Sequence, residues 1–208
     1  MNNVYVRGAI LLLSGPSGCG KSSLLKEVYK VIDNYYFSIS TTTREPRVGE
    51  VNGVDYYFVT KEEFDEDVKK SNFLEWAEVH GNYYGTSSKV INEALNESKL
   101  VIFDIDVQGF EQIIKKLKHI TTSVFITTPT INELEKRLHN RDTDSKAVIE
   151  KRISHAIVEI DYIDKYDYLI VNDSFEIASQ QLISIARSSL VKQSLYNKDE
   201  IITNWKNI

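Results

Sequence analysis

Ala9-Ile10-Leu11-Leu12-Leu13-Ser14-Gly15-Pro16-Ser17-Gly18-Cys19-Gly20-Lys21-Ser22-Ser23-Leu24-Leu25-Lys26 writes an apolar run, a glycine loop and a helical start one after another. Glycines at 15, 18 and 20 permit backbone angles that a Cβ forbids, so successive N–H groups turn inward around phosphate oxygens. The helix that follows points its positive end at the same oxygens. Lys21 adds a full charge, and the Ser22 hydroxyl is placed for Mg²⁺. Gly15, Pro16, Ser17, Gly18, Cys19, Gly20, Lys21, Ser22 and Ser23 are therefore the candidate triphosphate cradle.

Outward from the loop, short runs that are apolar on both faces recur at Leu100-Val101-Ile102-Phe103, Ser123-Val124-Phe125-Ile126 and Tyr168-Leu169-Ile170-Val171. Helical patterns separate them, which predicts an α/β fold with a largely parallel sheet. The predicted helices span 21 to 32, 110 to 117, 130 to 140, 145 to 163 and 174 to 192. Ile149, Ile153, Ala156, Ile157 and Ile160 form one apolar stripe in the fourth of these. Residues 41 to 90 break the rhythm: a Thr- and Arg-containing stretch, the strand-like Val54-Asp55-Tyr56-Tyr57-Phe58-Val59, a charged helix, and a second aromatic strand region around Trp76 and Tyr83-Tyr84. This reads as an inserted mixed lobe. Asn140-Arg141-Asp142-Thr143-Asp144 is polar, lies between two helices and suits a lid.

The 208 residues suffice for one well-filled core carrying small insertions. A net charge of −5 argues against a general nucleic-acid binder, which needs excess Lys and Arg to displace phosphate counterions. The single cysteine, Cys19, excludes an internal disulfide and suits a reducing cytoplasm. Small filler is its first reading and a redox sensor the second. Ala9 to Leu13 is too short for a secretory core, and no stretch reaches the length of a membrane helix. Oligomeric state is not written in the sequence.

The glycine loop, Ser40-Thr41-Thr42-Thr43-Arg44, Arg47-Val48-Gly49-Glu50, Phe73-Leu74-Glu75-Trp76, Gly81-Asn82-Tyr83-Tyr84-Gly85, Asp104-Ile105-Asp106-Val107-Gln108-Gly109 and Val171-Asn172-Asp173 occur in this order. The sequence resembles the guanylate kinase family in these motifs from about Ala9 to Ala186. The resemblance implies a P-loop NTPase fold: a mostly parallel sheet flanked by helices, with an inserted mixed α/β GMP-binding lobe and a small lid. Its divisions are core at 1–40, GMP lobe at 41–90, core at 91–139, lid at 140–152, core at 153–197 and a tail at 198–208. The implied reaction moves a phosphoryl group from ATP to GMP, giving ADP and GDP for the GTP supply, with Mg²⁺ assisting and dGMP also accepted.

A phosphate acceptor has a second pKa near 6, so it is already an anionic nucleophile and no general base is needed. The problem becomes one of charge, and arginines with Mg²⁺ answer it. By resemblance, Arg44, Arg47, Tyr56 and Tyr84 grip the GMP phosphate; taken singly, each tyrosine would read as lobe core. Glu75 accepts the guanine N1–H and exocyclic amine, while Ser40 and Thr86 donate to the guanine O6. Asp104 and Asp106 face the substrate, with a metal role through water; helix capping is the other reading of Asp106. Arg141 and Arg152 neutralise the transferring group together with Lys21 and Arg47, Arg137 flanks ATP, and Asn172 reaches the adenine edge. Two further readings stand beside this one. A protein-binding module of the same fold is disfavoured by intact Lys21 and Ser22, and a kinase of another small phosphorylated substrate is disfavoured by Ser40 with Glu75.

Overall fold

The computed structural model describes residues 7–79, 81–140 and 145–206. Its elements run β1 (Ala9–Ser14), α1 (Lys21–Tyr29), β2 (Tyr35–Phe37), β3 (Thr41–Thr42), β4 (Tyr57–Phe58), α2 (Lys61–Lys69), β5 (Phe73–Val79), β6 (Asn82–Ser87), α3 (Ser88–Asn96), β7 (Leu100–Asp104), α4 (Val107–Leu117), β8 (Thr121–Thr127), α5 (Ile131–His139), α6 (Lys146–Glu159), β9 (Tyr168–Val171), α7 (Phe175–Ser189) and α8 (Lys198–Lys206). Short 3₁₀ turns follow α4, α6 and α7.

Five strands form a parallel sheet in the order β2-β7-β1-β8-β9. Every residue of β1 is buried, which is why its sequence is apolar without alternation. Helices α4 and α7 both pack on β1, and α1 packs on α7. Leu13 pairs with Asp104 in the β1/β7 register, so the loop after β1 and the carboxylate ending β7 emerge side by side. Ligands of open α/β sheets bind at such carboxyl ends.

The second sheet, ordered β4-β3-β6-β5, has a parallel β3/β4 pair and antiparallel β3/β6 and β5/β6 pairs. Its small core is aromatic: Phe64 of α2 is fully buried and lies 4.6 Å from Phe73 and 5.7 Å from Tyr83 between ring centres. A capping box formed by Thr60 and Glu63 starts α2 by satisfying two backbone N–H groups that the helix itself leaves unpaired.

The elements compare with the expected ones as follows. β2 was not expected, and the strand expected at 54 to 59 is confined to Tyr57–Phe58, because Val54 is exposed within a turn. The α6 stripe is narrower than its sequence suggests: Ile149 and Ala156 are buried and Ile153 and Ile160 pack on the core, but Ile157 is exposed. The lobe boundary at 90 falls inside α3, whose Ile91, Ala94 and Leu95 belong to the main core. Of the expected lid, residues 141–144, Arg141 included, lie outside the described residues, and 146 to 152 form the first turns of α6. Among the described residues no helix is long and apolar enough to cross a membrane.

Candidate active site

The loop after β1 holds Gly15, Gly18 and Gly20 at positive φ. Gly20 is the N-cap of α1 in a left-handed conformation (φ 103°), and a Cβ there would meet the Asn172 amide nitrogen at 2.4 Å. Only glycine meets both demands. Asn172 is buried and its amide donates to the Cys19 carbonyl at 2.8 Å. This bond ties Asn172 to the loop from behind. Cys19 is fully buried, and burial pushes its thiol above the usual range, the condition of an inert filler.

Lys21 curls over this loop, donating to the Gly15 carbonyl at 2.6 Å and the Pro16 carbonyl at 3.3 Å. Its ammonium also lies 3.8 Å from Asp104. Burial raises the Asp104 carboxyl and the Lys21 charge opposes that rise. From α6, Arg152 donates to the Ser17 hydroxyl at 2.8 Å, so one arginine reaches the loop across the cleft. Together these groups border a cavity of about 610 Å³ lined by Gly15, Ser17, Gly18, Gly20, Lys21 and Ser22 on one wall. Pro16 and Cys19 are buried beneath it and Ser23 is exposed on α1 outside it.

A second cavity, about 160 Å³, opens beside the first and is lined by Ser40, Tyr56, Glu75 and Tyr84. Tyr56, Val79, Asp104, Ile105 and Asp106 line both. Arg44 lies over the Tyr56 ring at 5.3 Å, and Tyr56 meets Tyr84 edge-on at 5.9 Å. The Arg44 guanidinium is held by both Glu50 oxygens at 2.8 and 2.9 Å. Arg47 gives Glu50 its backbone N–H and its side chain is exposed, so the same carboxylate is approached by both arginines.

Glu75 is 5% exposed at the floor of the small cavity. It pairs directly with Thr86 across β5 and β6, and the Thr86 hydroxyl donates to its Oε1 at 2.5 Å. Here the Thr86 hydroxyl, expected to donate to a base oxygen, donates to the carboxylate. Burial pushes the Glu75 carboxyl up to about 7; the Asp106 charge adds to this, while Thr86 and Lys116 oppose it. Asp106 itself accepts from the N–H groups of Gln108 and Gly109 as the N-cap of α4, so capping and cavity lining coincide in one residue.

A carboxyl raised from 4.5 to about 7 in the fold makes its full stability contribution below 4.5, and loses it as pH rises through 7. The loss amounts to roughly 3 kcal/mol, at about 1.4 kcal/mol per unit. Unfolding free energy of the ligand-free protein should therefore decline between pH 5 and 8. The decline should shrink in Glu75→Gln, as urea titrations at several pH values will read. Equal slopes for the two proteins would contradict the burial effect.

Arg137 is placed outside both cavities: its Nε donates to Glu133 and its Nη2 to the Asn172 carbonyl. Several cavity residues escaped sequence reading, notably His155 and Glu159. They follow Arg152 by three and seven positions, the same helical face, and that spacing was the available signal. Burial raises the Glu159 carboxyl, with Lys21 acting in the opposite sense.

The family model described as guanylate kinase matches residues 7–189. The chain is 52% identical over 200 residues to a guanylate kinase of Wolinella succinogenes, covering 96% of this chain and 93% of that protein. It is 54% identical over 201 residues to one from Sulfurimonas denitrificans, covering 97% and 98% respectively. The crystal structure of guanylate kinase from Anaplasma phagocytophilum superimposes with a TM-score of 0.77 at 30% identity, covering 98% of this chain and 97% of that one. With a glycine-loop cavity and a glutamate-floored cavity meeting at Asp104 and Asp106, and with matches of this extent, the chain belongs to the guanylate kinase family.

Proposed function

We propose that this protein transfers the γ-phosphoryl group of ATP to GMP, forming ADP and GDP. The observation that carries the proposal is the shared wall: five residues line both the loop cavity and the Glu75 cavity, so a donor in one and an acceptor in the other face each other without a barrier. In this reading the loop N–H groups and Lys21 hold the donor phosphates, and Arg152 closes on them from α6. Arg44, Tyr56 and Tyr84 take the acceptor phosphate, Arg47 joining them from its exposed turn; guanidinium forks and phenols suit phosphate oxygens. Glu75 accepts the two adjacent guanine donors, and Ser40 lies on the same cavity wall for the base oxygen. The acceptor is an anion at neutral pH, so the protein's task is to orient and to screen charge.

Among the described residues no group of three or more His, Cys, Asp or Glu could hold a metal ion. The loop cavity nevertheless offers a hydroxyl from Ser22 and a carboxylate from Asp104. Mg²⁺ keeps several waters and takes only one or two protein oxygens when phosphates complete its shell, so this donor set fits it. When bound it would neutralise phosphate charge. A reducing cytoplasm suits the single, buried cysteine.

Purified protein given ATP, Mg²⁺ and a panel of nucleoside monophosphates should form GDP from GMP far faster than any product from AMP, CMP or UMP. Absence of GDP would end the proposal, and equal turnover of AMP would end the role given to Glu75.

A further inference from the structure

Glu75 sits in a strand that departs from regular pairing. Phe73 pairs with Ser87 and Glu75 with Thr86, so Leu74 is an extra residue, a bulge in β5. A bulge leaves backbone groups without ladder partners and re-aims the neighbouring side chain. Helix α4 supplies the missing partners. The Lys116 ammonium donates to the Leu74 carbonyl at 2.5 Å. The Gln112 amide donates to the Trp76 carbonyl at 2.7 Å and its oxygen accepts the Trp76 N–H at 3.2 Å, an imitation of strand pairing by a side chain. Gly109, one turn earlier, presents bare backbone to the carboxylate. A Cβ there would lie 2.8 Å from Glu75 Oε2 and 3.3 Å from Cδ. The carboxylate cannot simply swing away, because Thr86 holds its other oxygen.

Gly109, Gln112 and Lys116 are spaced i, i+3 and i+7, one face of the helix. We infer that this face of α4 is the positioning device for Glu75: Gln112 and Lys116 fix the backbone on either side of it, and Gly109 sets the depth of its carboxylate. These are positioning residues, since none of the three lines the small cavity. The inference rests on the proposed role of Glu75 in selecting guanine. It assigns the sharpness of that selection to a helix of the main core, opposite the lobe that carries the glutamate.

The test is steady-state kinetics of Gly109→Ala, Gln112→Leu and Glu75→Gln with GMP and with IMP, which lacks the exocyclic amine. Gly109→Ala should raise KM for GMP about tenfold or more, lower kcat by less, narrow the GMP-to-IMP ratio, and leave KM for ATP within about twofold. Alanine favours a helix over glycine, which offsets part of the cost of the Cβ contact with Glu75, so thermal unfolding should shift too little to account for the change. Glu75→Asp, one methylene shorter, should be less sensitive to Gly109→Ala than the parent is, a partial rescue that general damage would not produce. Gln112→Leu tests the same device without entering the cavity and should raise KM for GMP severalfold. If Glu75→Gln alters GMP selectivity while Gly109→Ala and Gln112→Leu keep KM and the GMP-to-IMP ratio within twofold, the inference is overturned. If Glu75→Gln leaves GMP selectivity intact, the reading of Glu75 falls and takes the inference with it.

Discussion

Lys21→Ala is expected to lower kcat about 10²- to 10³-fold, the cost of removing one preorganised group that stabilises developing charge. The geometry gives this magnitude its reason. The ammonium is held at the loop by the Gly15 and Pro16 carbonyls and sits beside Asp104, so it needs little reorganisation to meet phosphate oxygens in the adjoining cavity. Stabilisation that grows toward the transition state appears in kcat; uniform binding of ATP appears in KM alone. Stopped-time assays at saturating ATP and GMP separate the two. A variant with parental kcat and only a raised KM for ATP would show that Lys21 serves binding and not phosphoryl transfer.

Glu75→Gln is the second large effect: kcat/KM for GMP should fall by about 10³- to 10⁴-fold while KM for ATP is nearly unchanged. The amide offers an N–H where guanine also offers N–H, and a buried site designed around hydrogen-bond partners rejects a mismatch by about 10⁴-fold or more. The burial that makes the discrimination steep also raises the Glu75 carboxyl to about 7, so the same variant should gain unfolding stability at pH 8. Lost selectivity together with gained stability is a combination that simple misfolding cannot produce. Retained GMP turnover, or a variant less stable at pH 8, would refute this account of the residue.

The parallel core was legible because its strands are buried on both faces: Leu100 to Phe103 and Val124 to Ile126 need no alternation to be recognised. β2 was not, since Tyr35, Tyr36 and Phe37 are three half-buried aromatics with no length to show a period. The loop was legible from local chemistry alone. The bond between Glu75 and Thr86 was not, because eleven residues and a turn separate them and their meeting depends on the bulge at Leu74. For the same reason, no local pattern distinguishes a Thr86 hydroxyl aimed at a base from one aimed at a carboxylate. Asn172 shows a similar limit: its motif marked it as part of the site, but its contact with Cys19 spans 153 positions of chain. Arg137 and Arg152 are both expected over the triphosphate, and only packing separates the one tied to Glu133 from the one that reaches Ser17.

The Gln112 amide has one more effect. β5 ends its sheet, and a terminal strand with open N–H and C=O groups is a template on which another chain can add a strand. At Trp76 both groups are already taken by the glutamine, and at Leu74 the carbonyl is taken by Lys116. An incoming strand would find its central register filled and a helix in its path, so the lobe's longest exposed border resists aggregation by edge-to-edge growth. Gln112→Leu reopens that border, and it should leave the protein more prone to concentration-dependent association.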